Sequence, residues 1–102
     1  MQPPLVLLVL LAAALLLPGT AAAGAARGAA LANACAACHG PDGRSQGAIA
    51  SIDALLTEDF VAALKAFRVD ARKGTVMNRI AKGLDDADIV AVATYFATLR
   101  RR

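Results

Sequence analysis

Cys35-Ala36-Ala37-Cys38-His39-Gly40-Pro41-Asp42-Gly43 is the stretch on which the fold of this chain turns. Two cysteines at i and i+3 lie on one side of a helical turn. The histidine follows directly and is carried beneath them, and Ala36 and Ala37 have no bulk to obstruct that side. Gly40-Pro41-Asp42-Gly43 is a turn cluster that must end the helix bearing the cysteines. A helix is therefore expected from about Arg27 to Ala37, with a loop over 41–56 behind it. Gly43 and Gly47 are its flexible points, and Ile49, Ile52, Leu55 and Leu56 are expected to turn inward from it.

Cys-x-x-Cys-His is the spacing of covalent haem attachment. Each sulfur can reach one vinyl group of the porphyrin and form a thioether, and the Nε2 atom of His39 can then bind the iron. The rival readings ask for features that the sequence lacks. A thioredoxin-like redox pair needs a βαβ setting. A closed zinc site needs a fourth ligand, and the chain has two Cys and one His in all, so a carboxylate would have to serve. A Cys35–Cys38 disulfide closes too small a loop to stabilise much. The reading is one covalently bound haem c per chain, anchored by Cys35 and Cys38, with His39 as one axial ligand.

No second His is present for the opposite face, and Met77 is the one Met beyond the initiator. A lone Met is ordinarily core packing. Here it follows a polar, glycine-containing loop, Lys73-Gly74-Thr75-Val76, between two helices, from which it can approach the far side of a haem. Met77 is therefore expected to be the second axial ligand. A thioether is a soft donor that raises the reduction potential, and two filled axial positions suit electron transfer rather than catalysis. An enzyme or gas sensor with an open iron position is the reading that Met77 opposes.

The chain has 102 residues, 58% of them apolar, so one domain is the default. Residues 1–26 carry no charged side chain; all 11 Lys and Arg and all 8 Asp and Glu lie from Arg27 onward. Leu5 to Leu17 is a run of Leu, Val and Ala. Pro18-Gly19 breaks it, and Ala21-Ala22-Ala23 offers a small-residue cleavage site, the order of a secretory signal. The run is shorter than the roughly 20 apolar residues of a membrane span. No Lys or Arg precedes it, which departs from the usual signal, and an uncleaved anchor is the alternative. The expectation is a signal peptide over 1–23, with the cut after Ala23 or Ala26, and a cytochrome domain over 24–102. Such a chain is exported to the periplasm without a lasting membrane anchor, and haem attachment outside the cytoplasm agrees with that.

A domain this small has a thin core and needs a staple. With no Trp, one Tyr and three Phe, aromatics will not fill the interior. A covalent porphyrin answers that need, and the haem-free chain is expected to be poorly ordered. Thr57 is expected to N-cap a second helix, with Glu58 and Asp59 at its positive end. Phe60, Ala63, Leu64 and Phe67 then form a buried stripe. Val69 to Val76 reads as a loop and Met77 to Lys82 as a short helix ended by Gly83. Asp85 is expected to cap a last helix, with Asp86 and Asp88 in its first turn. Ile89, Val92, Ala93, Phe96 and Leu99 are its buried stripe, and Arg100 to Arg102 sit at its negative end. No convincing strand occurs. The fold class is all-α, three to four helices with long loops around one covalent haem.

Three segments carry a family likeness: 35–43, Thr-Val-Met-Asn-Arg-Ile-Ala-Lys-Gly at 75–83, and Asp-Ile-Val-Ala-Val-Ala-Thr-Tyr-Phe-Ala at 88–97. They resemble the class I cytochrome c family over nearly the whole domain, from about Ala29 to Leu99. Within it the likeness runs to the cytochrome subunit of flavocytochrome c sulfide dehydrogenase and to short monohaem cytochromes of bacteria. The resemblance implies that Met77 ligates the iron and that the first and last helices cross at or near Tyr95-Phe96. It also implies single-electron transfer from a flavoprotein subunit that oxidises sulfide and holds the substrate site, so the chain itself is no enzyme. A free periplasmic shuttle to a terminal oxidase or another reductase would use the same haem, ligands and fold. Two departures stand out. Where the family has a Pro whose carbonyl accepts the haem histidine's Nδ1–H, this chain has Ala48, whose carbonyl can still accept but on a less rigid turn. Where the family tends to have Gly, it has Asp70, so that either the turn differs here or Asp70 takes a left-handed backbone.

The formal net charge is +3, and two haem propionates bring the loaded protein nearer neutral. Arg68, Arg72, Lys73, Arg79 and Lys82 flank Met77. Such a cluster can steer an acidic redox partner; an ordinary solvated surface is the alternative, and Arg72 could instead hold a propionate. Nucleic-acid binding is disfavoured, because stacking aromatics are lacking and export removes the protein from the genome.

Overall fold

The computed structural model describes residues 19–101. The apolar run at Leu5–Leu17, on which the export signal rests, lies outside the described residues, as does Arg102. Among the described residues there are four α-helices and no strand: α1 (Thr20–His39), α2 (Thr57–Arg68), α3 (Met77–Lys82) and α4 (Asp86–Arg100), with one 3₁₀ turn at Pro41–Gly43. No helix among them is long and apolar enough to cross a membrane.

The helix ends follow local chemistry, with two corrections. α1 begins at Thr20, a turn and more before the expected Arg27. The Ala-rich stretch 20–26 has high intrinsic helix propensity, and Ala23 N–H already donates to Gly19 O at 3.0 Å. Those first turns are exposed; Gly28 and Ala32 are the buried residues of α1. Thr57 is the first residue of α2 and not its cap. Leu56 holds the cap position with no side-chain hydrogen bond, and the Thr57 hydroxyl instead accepts from Arg100 Nη2 at 3.5 Å. α3 spans Met77–Lys82 and ends at Gly83, as read. α4 has the expected cap in reciprocal form: Asp88 N–H donates to Asp85 Oδ1 at 2.7 Å, and Asp85 N–H to Asp88 Oδ2 at 3.2 Å.

The core is built where α4 meets α1 and α2. Ile89, Val92, Ala93 and Phe96 pack with Ala32, Phe60 and Leu64. Phe60 stacks on Phe96 with ring centres 5.3 Å apart. Ala63, Phe67 and Leu99 of the two expected stripes are half-buried. Ile52 and Leu55 turn inward from the loop as expected, but Ile49 and Leu56 do not: they are 48% and 56% exposed. Ile52 N–H donates to Gly43 O at 2.8 Å and is drawn onto the core there. Ile49 lies instead beside an open pocket next to Cys38.

α1 and α4 cross at a glycine. A Cβ on Gly28 would lie 2.4 Å from the Ala91 carbonyl oxygen and 3.2 Å from Tyr95 Cβ, so only hydrogen fits. Tyr95 stands at this crossing and meets the Phe96 ring edge-on, 6.0 Å between centres, as the resemblance implied. One residue before Gly28, Arg27 Nε donates to Asp88 Oδ1 at 2.9 Å and ties α1 to the first turn of α4.

Two outcomes follow from the crossing. Gly28→Ala should destabilise by about 1–3 kcal/mol, because the Ala91 backbone cannot yield as a side chain would; the denaturant midpoint measures it. The hydrogen bond from Arg27 holds the Asp88 carboxyl below its usual 3.8. A carboxylate depressed on folding stabilises above its unfolded value, and that stability is lost as pH falls through the folded value. Arg27→Gln should therefore flatten the loss of stability below 3.8, read by denaturation across the acid range.

Candidate functional site

The last turn of α1 presents the motif. Cys35 is half-buried against the core, Cys38 is exposed and His39 is half-buried at the helix end. No disulfide joins Cys35 to Cys38. Burial, in first place, pushes the Cys35 thiol up, with a smaller push from Cys38. No three His, Cys, Asp or Glu side chains gather to hold a metal ion among the described residues.

The turn behind the motif is shaped by glycine. Gly40 has φ +91°, and a Cβ there would lie 2.0 Å from the Arg44 carbonyl oxygen. Gly43 has φ +79° and sits 2.8 Å, from an ideal Cβ, to the Phe96 ring. The chain thus folds back beneath α1 and rests on the core residue Phe96. The loop beyond it is closed by Ser45 N–H donating to Ser51 Oγ at 2.8 Å and by an Arg44–Asp53 ion pair at 3.2 Å.

That loop returns a carbonyl to the histidine. His39 Nδ1–H donates to Ala50 O at 2.5 Å. The expected acceptor was the Ala48 carbonyl, so the position is corrected by two residues. Without proline at 48 to set the turn, the serine bonds and the Ile52–Gly43 bond decide which carbonyl faces inward. The chemistry is unchanged: a proton held on Nδ1 leaves the Nε2 lone pair available. Ala36, Ala37, Cys38 and the 45–49 segment line an open pocket of about 290 Å³ beside it.

Met77 opens α3, half-buried, and packs against the same core cluster as Cys35. Tertiary structure therefore brings the methionine segment and the Cys-x-x-Cys-His segment to one core. Of the large apolar side chains left exposed, Ile49 and Leu56 follow His39 and Val76 and Ile80 flank Met77, while Val69 and Val90 lie elsewhere. Of the two alternatives at Asp70, the backbone takes the left-handed one, φ +59°. The basic cluster is less free than the sequence suggests. Arg68 pairs with Asp86 and Lys82 with Asp70, each at 2.6 Å. Arg72 stacks over the Phe67 ring at 4.7 Å. Lys73 and Arg79 form no ion pair with any described residue.

Compared with known protein families, the chain matches cytochrome c over residues 25–100. The chain belongs to the cytochrome c family. It is 41% identical over 76 residues to the cytochrome subunit of sulfide dehydrogenase of Chlorobaculum tepidum, covering 74% of this chain and 69% of that protein. It is 37% identical over 73 residues to cytochrome c-553 of Helicobacter pylori, covering 70% and 76%. It is 36% identical over 81 residues to cytochrome c-554(548) of Halomonas halodenitrificans, covering 72% and 94%.

As a class I cytochrome c, the chain is a monohaem electron carrier with one covalently bound haem c. The side chains fit that group. Two cysteines with no disulfide between them stand one turn apart on one helix, the adjacent imidazole directs its Nδ1 to the Ala50 carbonyl, and a thioether lies on the same core. Sequence reasoning missed Gly28, the Arg27–Asp88 pair and Asn78, which bonds the loop before Met77. A small residue in an Ala-rich helix and an Asn on a surface helix carry no sequence signal of such contacts.

Gly40→Ala forces both a positive φ and a backbone collision. It should cost upward of about 1 kcal/mol and lower the haem bound per chain, measured by visible absorbance against protein concentration.

Proposed function

We propose that Cys35 and Cys38 form the thioethers of the haem and that His39 and Met77 are its axial ligands. The observation that carries this reading is the His39 Nδ1–H bond to Ala50 O. It fixes the tautomer with Nε2 as the donor and raises the basicity of the imidazole. The packing of Met77 and Cys35 on one core supports the second ligand. The bound haem supplies a one-electron couple. The protein's part is to fill both axial positions, to exclude competing ligands and to set the potential by pairing imidazole with a soft thioether.

The chain acts as an exported, periplasmic electron carrier, with residues 1–23 or 1–26 removed. Its cellular role is the electron-accepting cytochrome subunit of a flavocytochrome c sulfide dehydrogenase, beside a flavoprotein that carries the substrate chemistry. The 41% identity to a cytochrome subunit of sulfide dehydrogenase supports it. The relatives named cytochrome c-553 support a second reading, a free shuttle to a terminal oxidase or another reductase. Purification of the native protein separates them: a stoichiometric flavoprotein partner supports the first, and an isolated monohaem protein the second.

Met77→Ala should open the ferrous iron to carbon monoxide, which the unaltered protein should take up slowly. Rapid uptake by the unaltered protein would remove Met77 from the ligand set. Arg72, Lys73 and Arg79 are the basic side chains near Met77 without an acidic partner among the described residues, and of these Lys73 and Arg79 are not stacked on a ring. If Lys73 and Arg79 steer the partner, the bimolecular electron-transfer rate falls steeply with salt.

A further inference from the structure

α3 is six residues long, too short to be stable alone. Its N-cap residue, Val76, makes no side-chain capping bond. The preceding segment, 69–76, has no regular hydrogen-bond ladder. Something else must hold the backbone of Met77 in place.

The side chain of Asn78, next to Met77, has the bonds to do so. Its Oδ1 accepts from Gly74 N–H at 2.8 Å. Its Nδ2 donates to Arg72 O at 2.7 Å, Phe67 O at 3.1 Å and Asp70 Oδ1 at 3.1 Å. Two N–H bonds are thus shared among three acceptors, and one half-buried amide ties together the end of α2, the whole loop and the start of α3. Gly74, the residue that Asn78 grips, is packed between Phe67 and Met77. An ideal Cβ on it would lie 3.0 Å from Phe67 Cε1 and 3.5 Å from Met77 Cβ. Lys82 closes the far end of α3 onto the same loop through Asp70.

We propose that Asn78 is the positioning residue for Met77. It fixes Gly74 and the loop carbonyls so that the Met77 side chain is held at the iron without the helix having to be stable by itself. This rests on the reading of Met77 as an axial ligand. A thioether is a neutral, soft and readily displaced donor, so the ease with which another ligand replaces it depends on how far its backbone can swing away. Asn78 is what limits that swing.

The test uses the haem-loaded protein, with carbon monoxide as probe of the ferrous iron and imidazole as probe of the ferric iron. Asn78→Ala removes every bond. Asn78→Asp keeps the shape and the acceptor for Gly74 N–H, but loses both donated bonds and sets a second carboxylate beside Asp70. Both variants should bind the probes about tenfold more readily than the unaltered protein, with the far-ultraviolet helix signal unchanged. Binding at the unaltered rate in both variants overturns the proposal. Met77→Ala gives the rate of a fully open site. An unaltered protein that already reaches that rate sinks the Met77 reading itself, and the Asn78 role with it. A measurement on the unaltered protein stands even if the variants do not fold. The Gly74 amide should exchange its hydrogen as slowly as the amides of α3, and exchange at the rate of an open loop overturns the proposal.

Discussion

The close approach of α1 and α4 at Gly28 is the contact on which the rest depends. With hydrogen as its side chain, α1 lies directly on the Ala91 backbone, and the Arg27–Asp88 bond sets the angle and register beside it. From that crossing, α1 runs on to place Ala32 in the core, Cys35 at its edge and His39 at its end. α4 brings Phe96 under the turn that follows. A small domain with few aromatics cannot tolerate a wider separation, because each ångström between helices is interior it has no side chains to fill.

The two halves of the site are held by different means. The histidine half hangs from a long helix, closed at its C-terminal end by Gly40 N–H donating to Ala36 O, and from a loop whose glycines allow it to double back. The methionine half sits on a helix of one and a half turns, held by side chains: Asn78, the Asp70–Lys82 pair and Arg72 stacked on Phe67. That contrast accords with the chemistry of the two proposed ligands. An imidazole beside two covalent anchors would stay where it is put, whereas a thioether without a covalent anchor would depend on its loop.

Much was legible beforehand because it depends on short-range order. Cys35, Cys38 and His39 are adjacent, so their spacing on one helical turn follows from helix geometry. The bounds of α3, the Asp85 cap and the buried faces of α2 and α4 follow from periodicity and capping, which act within a few residues. The errors share a cause. Thr57 was displaced from its cap because the preceding loop delivered Leu56 there. Ile49 and Leu56 stay outside because the loop is pinned at Ile52. The carbonyl that serves His39 belongs to Ala50 because serine bonds across the loop, and not a proline, set its register. Arg68 and Lys82 lose their place in a free basic cluster because their acidic partners lie in other segments.

By itself the sequence determined the kind of cofactor, the all-helical class and the residues proposed to hold the haem. Those are matters of donor chemistry and of local backbone preference. Only the tertiary structure decided which carbonyl orients the imidazole, which glycine lets the helices meet, and which amide holds the methionine loop. Each of those joins residues distant along the chain, and their meeting depends on how the whole chain packs.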